Sequence, residues 1–171
     1  MKLAVLTLAA ALAAFDASAQ QKPNPLDNVP DKMPFDLPYG APIALERAQH
    51  AIQAAVAESQ KRGWKLNVAV VDWSGSLVAF ARMDGAQLGS IDIALHKARA
   101  AAKYRRETKV FENGIQAGFN YLATLDDIIA SRGGIPLVQD GRMIGAIGCS
   151  GGTGSQDEVV CQAGVAALGG K

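Results

Sequence analysis

Residues 66–106 constrain the fold more than any other part of the chain, because they predict two strands and a helix in immediate succession. The valine-rich residues 67–72 have the β-branched bulk that favours a strand, and residues 77–83 predict the return strand. Residues 73–76, with the sequence WSGS, predict the turn between them, since Ser and Gly suit positions where the chain reverses. A helix over residues 90–106 follows.

That helix is predicted to begin at Ser90, whose hydroxyl suits an N-cap, with Asp92 adding a negative charge to the first turn. Its inner face is predicted from apolar residues at three- and four-residue spacing, namely Ile91, Leu95, Ala98 and Ala102. On this arrangement His96 points away from the inner face and Lys97 lies on its flank.

A second hairpin is predicted over residues 135–139 and 142–148, because the Asp-Gly pair between them is typical of two-residue turns. The Gly-rich segment that follows leads into a helix over residues 155–168. We expect Ser155 to be its N-cap and Glu158 to complete a capping box.

The rest of the domain is predicted to be helical or irregular. Apolar residues at helical spacing predict a first helix over residues 43–62, with His50 on the surface opposite its apolar face. Residues 108–118 predict a loop or short helix, and residues 119–129 an irregular helical piece. The order helix, hairpin, helix, hairpin, helix predicts an α/β domain of the α+β type, with an antiparallel sheet packed against helices.

The N-terminus has the pattern of an export signal. A positive start precedes the apolar run 3–15, and Ala17-Ser18-Ala19 fits the small-x-small cleavage pattern. We therefore expect a signal peptide over residues 1–19, a mature protein in the periplasm or secreted, and a domain over residues 43–171. No later apolar run approaches the roughly 20 residues that span a bilayer, so no membrane span is expected.

Residues 20–42 form a proline-rich arm, and its residues 21–40 hold five of the seven prolines of the chain. This spacing forbids a helix and favours extended structure. Two interpretations remain open: a disordered leader, or an arm that packs on a neighbouring subunit. The apolar anchors in the second case are Met33, Phe35, Leu37 and Tyr39.

Charge and histidine content exclude several classes of function. The 17 Lys and Arg residues nearly balance the 16 Asp and Glu residues, and no basic patch is rich in aromatics, so nucleic acid is not an expected partner. Two histidines cannot form a His-only metal cage within one subunit, and no zinc-ligand spacing occurs. The Gly-rich segment 151–154 lacks the Gly-Lys-Ser/Thr ending of a phosphate-binding loop.

Three motifs carry a resemblance to a known family: VAVVDWSGSLVAFARMDGA, SIDIALHKARAAA and GGIPLVQDGRMIGAIGCSGGTGSQDE. Together and in this order they resemble the GlcG/HbpS family of haem-binding and haem-degradation-associated proteins. They also resemble the C-terminal domain of PduO-type corrinoid adenosyltransferases. The resemblance implies a profilin-like fold with a five-stranded antiparallel sheet, a homo-oligomer from tetramer to octamer, and haem as the cofactor.

Haem binding requires an apolar slot, an iron donor, and cations or N–H groups for the propionates. His96 is the predicted metal ligand, with a surface histidine as the alternative, and His96, Lys97 and Arg82 are the catalytic candidates if the protein is an enzyme. The predicted cofactor contacts are Arg82, Asp84, His96, Lys97, Arg99, Arg105, Arg106, Thr108, Gly133, Gly134 and Pro136. For each of these residues other than His96, a structural role or a solvated surface position is the alternative.

Cys149 and Cys161 are the only cysteines, and an even count in an exported protein favours a disulfide. Cys149 ends a predicted strand, and Cys161 lies in the helix expected to pack back onto it. The family usually has small apolar residues at both positions, so this pair departs from its pattern. Two free buried thiols are the alternative.

Together these features predict an exported protein that binds a small molecule, with haem or a related tetrapyrrole as the leading ligand. The first alternative is an enzyme that acts on a small carboxylate or carbonyl metabolite by proton transfer. The second is an accessory protein of an exported redox system. The chain has no Cys-x-x-Cys-His motif, so covalent haem attachment is not expected.

Overall fold

The structure, a computed structural model, describes residues 24–169, so the predicted signal peptide lies outside the described residues. Two units are present. In the first, the described residues 24–33 contain a short 3-10 helix, Pro25–Asp27, whose first turn is capped by the Asn24 side chain. The second unit begins at Pro34 and contains the sheet and all the α-helices of the described residues.

A four-stranded antiparallel sheet forms the centre of the second unit, which confirms an α+β fold. Its strands are β1 (Asn67–Asp72), β2 (Leu77–Arg82), β3 (Gly134–Gln139) and β4 (Arg142–Ser150). The order across the sheet is β2-β1-β4-β3. The described residues thus contain four strands, and the prediction of a five-stranded sheet is wrong.

The proline-rich arm comes close to extending the sheet but does not form a strand. Met143 N donates to Pro38 O at 2.8 Å, and Gly40 N donates to Met143 O at 2.8 Å. This pairing stops at the single bridge between Tyr39 and Met143. Pro38 has no N–H with which to continue a ladder. Residues 38–40 of the arm therefore pair with β4 of their own chain.

Both predicted hairpins are confirmed. In the first, the Asp72 carboxylate accepts from Ser74 N at 2.8 Å and from Ser76 N at 3.1 Å, which holds the turn closed. In the second, Asp140 and Gly141 have φ values of +50° and +69°, the left-handed pair that a type I′ turn requires.

Helices cover both faces of the sheet. They are α1 (Leu45–Lys61), α2 (Ser90–Tyr104), α3 (Lys109–Gln116) and α4 (Gly154–Ala167). Val68, Val70 and Ile147 pack with α1 and α4 on one face, in what we call the α1/α4 core. Ala69, Val71 and Ala146 face α2 on the other. A short 3-10 helix, Asn120–Thr124, follows α3 within the segment predicted to be irregular.

The face that α2 buries differs from the prediction in part, since Ala98 and Ala102 are buried as predicted. Ala94, Lys97, Ala98 and Ala101 are buried, whereas Ile91 and Leu95 remain partly exposed. The reason lies in the sheet, where Gly134 of β3 is paired with Gly148 of β4. A Cβ at Gly148 would lie 2.1 Å from the Ala94 carbonyl oxygen, and one at Gly134 would lie 2.3 Å from that of Lys97. The two glycines let the alanine side of α2 pack directly on the strands.

The helix starts also differ. Gly89 is the N-cap of α2, and Ser90 is its first residue and makes no capping bond to the backbone. In α4 the capping box is formed by Thr153 and Gln156 rather than by Ser155 and Glu158. Each predicted cap is thus displaced by one or two residues.

Candidate functional site

Lys97, a predicted ligand contact, is instead the largest fully buried side chain in the described residues, with 1% of its surface exposed. Its Nζ donates to Asp157 Oδ2 of α4 at 2.7 Å. The other oxygen of Asp157 accepts from Gly152 N at 3.0 Å. Burial raises the pKa of Asp157, while the Lys97 ammonium and the backbone amide of Gly152 act in the opposite direction. The pair joins α2 to α4.

Thr108 and the two predicted glycines lie beside this ion pair. Thr108 Oγ1 donates to Ser131 O at 2.7 Å and accepts from Gly134 N at 2.9 Å. The backbone amide of Gly134, which was predicted to contact a ligand, therefore already has a partner within the protein. A Cβ at Gly133 would lie 2.8 Å from Asp157 Cβ. We call Lys97, Thr108, Gly133, Gly134 and Asp157 the sealed cluster.

Two other predicted features border the sealed cluster. Pro136 is partly buried in β3 opposite Ala146. Cys149 of β4 and Cys161 of α4 are joined by a disulfide, with their Cα atoms 5.7 Å apart and both residues fully buried. The disulfide and the Lys97–Asp157 ion pair therefore attach α4 to the rest of the domain at two points, four residues apart on the helix.

His96 lies on the opposite side of α2 from the sheet-packed alanines and is partly exposed. Its neighbours on this outer face are already engaged: Arg99 Nε donates to Gly75 O at 3.2 Å, and Lys103 forms an ion pair with Asp127. The bond from Lys103 lowers the pKa of the Asp127 carboxyl, and the nearby His96 and Arg99 add smaller effects of the same sign.

Arg105 and Arg106, predicted to bind propionates, hold the arm. Arg105 Nη1 donates to Leu37 O at 3.0 Å, and its guanidinium lies 5.4 Å from the Tyr39 ring centroid. The Arg106 guanidinium lies 3.2 Å from the ring centroid of Phe35. These contacts attach residues 35–39 to the end of α2 in the same chain.

Arg82 and Asp84 line an open groove of about 450 Å³ between the end of α1, the loop after it and the end of β2. We call it the Trp64 groove, because Trp64 is the largest apolar residue that lines it. The lining residues are Val56, Gln60, Gly63, Trp64, Lys65, Ala81, Arg82, Met83 and Asp84. Sequence reasoning identified Arg82 and Asp84 but missed Trp64, Lys65 and Met83.

The two cations of the Trp64 groove differ from the other basic side chains in having no partner within the part of the chain that the structure describes. Among the described residues from Pro34 onward, Lys65 and Arg82 are the two basic side chains with neither a hydrogen bond nor a salt bridge. Every other Lys and Arg in this range has at least one acceptor. The groove therefore combines a flat aromatic side chain with two cations free to pair with an anion.

The sheet separates the Trp64 groove from His96. Ala81 of the groove packs against the α1/α4 core, whereas His96 lies on the outer side of α2, across the sheet. The predicted site residues thus fall into three places, the sealed cluster, the outer face of α2 and the Trp64 groove, and do not converge on one rim.

Two further properties bear on the site. Within residues 24–169, no three His, Cys, Asp or Glu side chains are grouped so that they could hold a metal ion. Over the same residues, no helix is long and apolar enough to cross a membrane.

Comparison with known proteins gives a consistent result. Residues 43–166 match the family described as "Haem degrading protein HbpS-like". Protein GlcG of Escherichia coli K12 is 40% identical over 108 residues, covering 63% of this chain and 81% of GlcG. Corrinoid adenosyltransferase PduO of Salmonella typhimurium is 31% identical over 120 residues, but these cover only 36% of PduO.

Solved structures share the fold. A double mutant of HbpS from Streptomyces reticuli has a TM-score of 0.70 and 31% identity, covering 81% of this chain and 94% of HbpS. A structure described as a complex of PduOC with haem has a TM-score of 0.68 and 27% identity, covering 74% of this chain and 95% of PduOC.

Proposed function

This chain belongs to the HbpS-like family of haem-degrading proteins, and from that premise we propose that it binds haem or a related tetrapyrrole. The support from relatives is the family match over residues 43–166 and the similarity to a PduOC structure solved with haem. Binding by this particular chain, its site and its donor to iron are our proposals.

The observation that carries the proposal is the pairing of an aromatic surface with two unpartnered cations in the Trp64 groove. A tetrapyrrole presents a flat apolar macrocycle with propionates at one edge. The indole of Trp64 and the side chains of Val56 and Ala81 offer apolar surface to the macrocycle. Lys65 and Arg82 offer charge-assisted hydrogen bonds to the propionates.

The iron donor predicted from the sequence, His96, lies across the sheet from this groove. A haem held by His96 would therefore lie on the outer face of α2, where Arg99 and Lys103 already have protein acceptors. The Trp64 groove and the outer face of α2 are therefore two different sites at which one chain could hold a haem. Substitutions in the groove and at His96 distinguish between them.

The test is a haem titration of the purified protein, followed by the Soret band. We expect saturable binding, and we expect Lys65→Gln/Arg82→Gln to weaken it by about tenfold or more, the equivalent of about 1.4 kcal/mol. Lys61→Gln/Arg142→Gln is the matched control, since it removes the same charge from exposed residues outside the groove. A wild-type protein that gives no Soret change at micromolar haem contradicts the proposal.

Failure of haem binding would favour the alternative functions. Thermal stabilisation by small carboxylates in the absence of haem would support an enzyme, with Arg82 as the first residue to substitute. Absence of both effects would leave an accessory role in an exported redox system.

We also propose that the protein is exported to the periplasm or secreted and that it forms a homo-oligomer, from tetramer to octamer. Intact mass of exported protein should begin at Gln20, and retention of residues 1–15 would contradict cleavage. Light scattering at micromolar concentration should give a multiple of the chain mass, and a monomer mass would contradict assembly.

A further inference from the structure

We infer that the Met83 thioether is the iron donor of the Trp64 groove, so that the groove supplies apolar surface, cations and donor from one continuous surface. This inference rests on the proposed haem binding and assigns its site.

The backbone places Met83 on the groove side of the sheet. Met83 follows β2 directly, and its N–H donates to Leu66 O at 3.1 Å, which fixes its position beside the start of β1. Met83 lies one residue beyond β2, and its side chain lines the groove together with that of Ala81, which packs on the α1/α4 core. Arg82, between them, is the last residue of the edge strand β2 and also lines the groove.

Met83 is also accessible, in contrast to the methionine of β4. Met143 is fully buried in the interior, whereas Met83 is partly exposed and lines the groove. A thioether left at a groove wall is available to a ligand, while one in a packed core only fills space.

The chemistry of the lining favours Met83 over its neighbours. A methionine thioether is an established ligand of haem iron and raises its reduction potential. The Lys65 ammonium carries three donors and no lone pair, so it suits a propionate rather than iron. Asp84 supplies hard oxygen, which suits Mg²⁺ or Ca²⁺ better than haem iron. No histidine lines the groove.

The groove wall is held in place without a ligand. Trp64 N donates to Ser59 O at 2.9 Å, and Ser59 Oγ donates to Trp64 O at 3.2 Å. The Arg62 guanidinium lies 5.1 Å from the indole centroid and is itself bonded to Glu58. The aromatic surface is therefore ordered before binding, which reduces the entropy that binding costs.

The experiment compares haem with metal-free protoporphyrin, which has the same macrocycle and propionates but no iron. Met83→Leu keeps the volume and apolar character of the side chain and removes the sulfur. We expect it to shift the Soret band of bound haem, to weaken haem binding by about tenfold and to lower the haem reduction potential. Protoporphyrin affinity should stay within about twofold, because iron coordination is absent.

Two further variants make the result decisive. Met83→His replaces the donor by an imidazole and should give a third, distinct Soret spectrum, whereas His96→Ala should leave the wild-type spectrum unchanged. Thermal unfolding and circular dichroism establish that each variant is folded before titration.

The outcomes separate this inference from the proposed function. If wild type binds haem but Met83→Leu and Met83→His both give the wild-type spectrum, the Met83 assignment is overturned and haem binding stands. A shifted spectrum in His96→Ala alone would also overturn it. If wild type binds neither haem nor protoporphyrin, the proposed function itself fails.

Discussion

The sealed cluster and the Trp64 groove contain the same kinds of residue near the same end of the sheet, yet they differ in how those residues are partnered. In the sealed cluster, Lys97 and Thr108 are buried and bonded within the chain. In the groove, Lys65 and Arg82 have no protein acceptor among the described residues. A cation with a buried protein partner stabilises the fold, whereas an unpartnered cation beside an aromatic surface is available to a ligand.

This difference predicts opposite consequences of substitution. Changes in the sealed cluster should lower the free energy of unfolding by several kcal/mol. Changes in the groove should leave the free energy of unfolding nearly unchanged and act on ligand affinity instead.

The largest effect is expected for Lys97→Met, which leaves the Asp157 carboxylate buried without its ammonium partner. Breaking a buried ion pair from one side costs about 3–5 kcal/mol. Urea denaturation measures the loss, and Lys97→Met/Asp157→Leu should recover a large part of it. Lys61→Met, at an exposed pair with Glu58 at 3.9 Å, is the control and should change stability by about 1 kcal/mol or less.

Gly148→Ala is expected to rank second, at about 3 kcal/mol, near the upper end of the usual cost of overpacking. The new Cβ would lie 2.1 Å from the Ala94 carbonyl oxygen and 2.5 Å from Ala98 N, both of which are backbone atoms that cannot move alone. Gly89→Ala is the control, because no atom lies within 4 Å of a Cβ there and its φ is −60°. Equal stability of the two variants would mean that α2 does not pack closely on the sheet.

Removal of the disulfide should cost about 2–3 kcal/mol, since the loop that it closes is short. The variant is Cys149→Ala/Cys161→Ala, and chemical denaturation of oxidised protein is the reference. Thiol titration of unfolded, non-reduced wild type should find no free thiol. Two free thiols would contradict the bridge.

The smallest effect on stability is expected in the groove. Arg82→Gln should change the free energy of unfolding by about 0.5 kcal/mol or less, because the side chain is exposed and has no partner to lose among residues 24–169. A loss above 1.5 kcal/mol would show a structural role and would remove the contrast between the two regions.

Local sequence patterns predicted the elements of the fold well. Both hairpins were predicted because their turn residues determine the backbone conformation within four residues, as with Asp140 and Gly141. The fifth strand came from the resemblance, and the prolines of the arm leave only a bridge at Tyr39. Helical periodicity identified Ala98 and Ala102 of the buried face of α2, but the rest of that face depends on Gly134 and Gly148, which lie far away in sequence.

The candidate site was harder to predict, because the hydrogen-bond or ion-pair partner of a side chain often lies far away in the sequence. Lys97 and Asp157 are separated by 60 positions, and no local pattern indicates that they pair. Trp64 and Met83 meet only when the end of α1 packs beside the end of β2. The sequence put Met83 directly after the last residue of the predicted strand, but it gave no indication that α1 would pack beside that point.

The most direct test of the contrast between sealed cluster and groove is a crystal structure of the haem-bound protein with data collected at the iron absorption edge. The anomalous peak from iron locates the metal without reference to the surrounding atoms. Our account predicts one peak in the Trp64 groove beside the Met83 sulfur, with the propionates at Lys65 and Arg82 and the sealed cluster unchanged. A peak beside His96 on the outer face of α2, with the groove empty of haem, would contradict it.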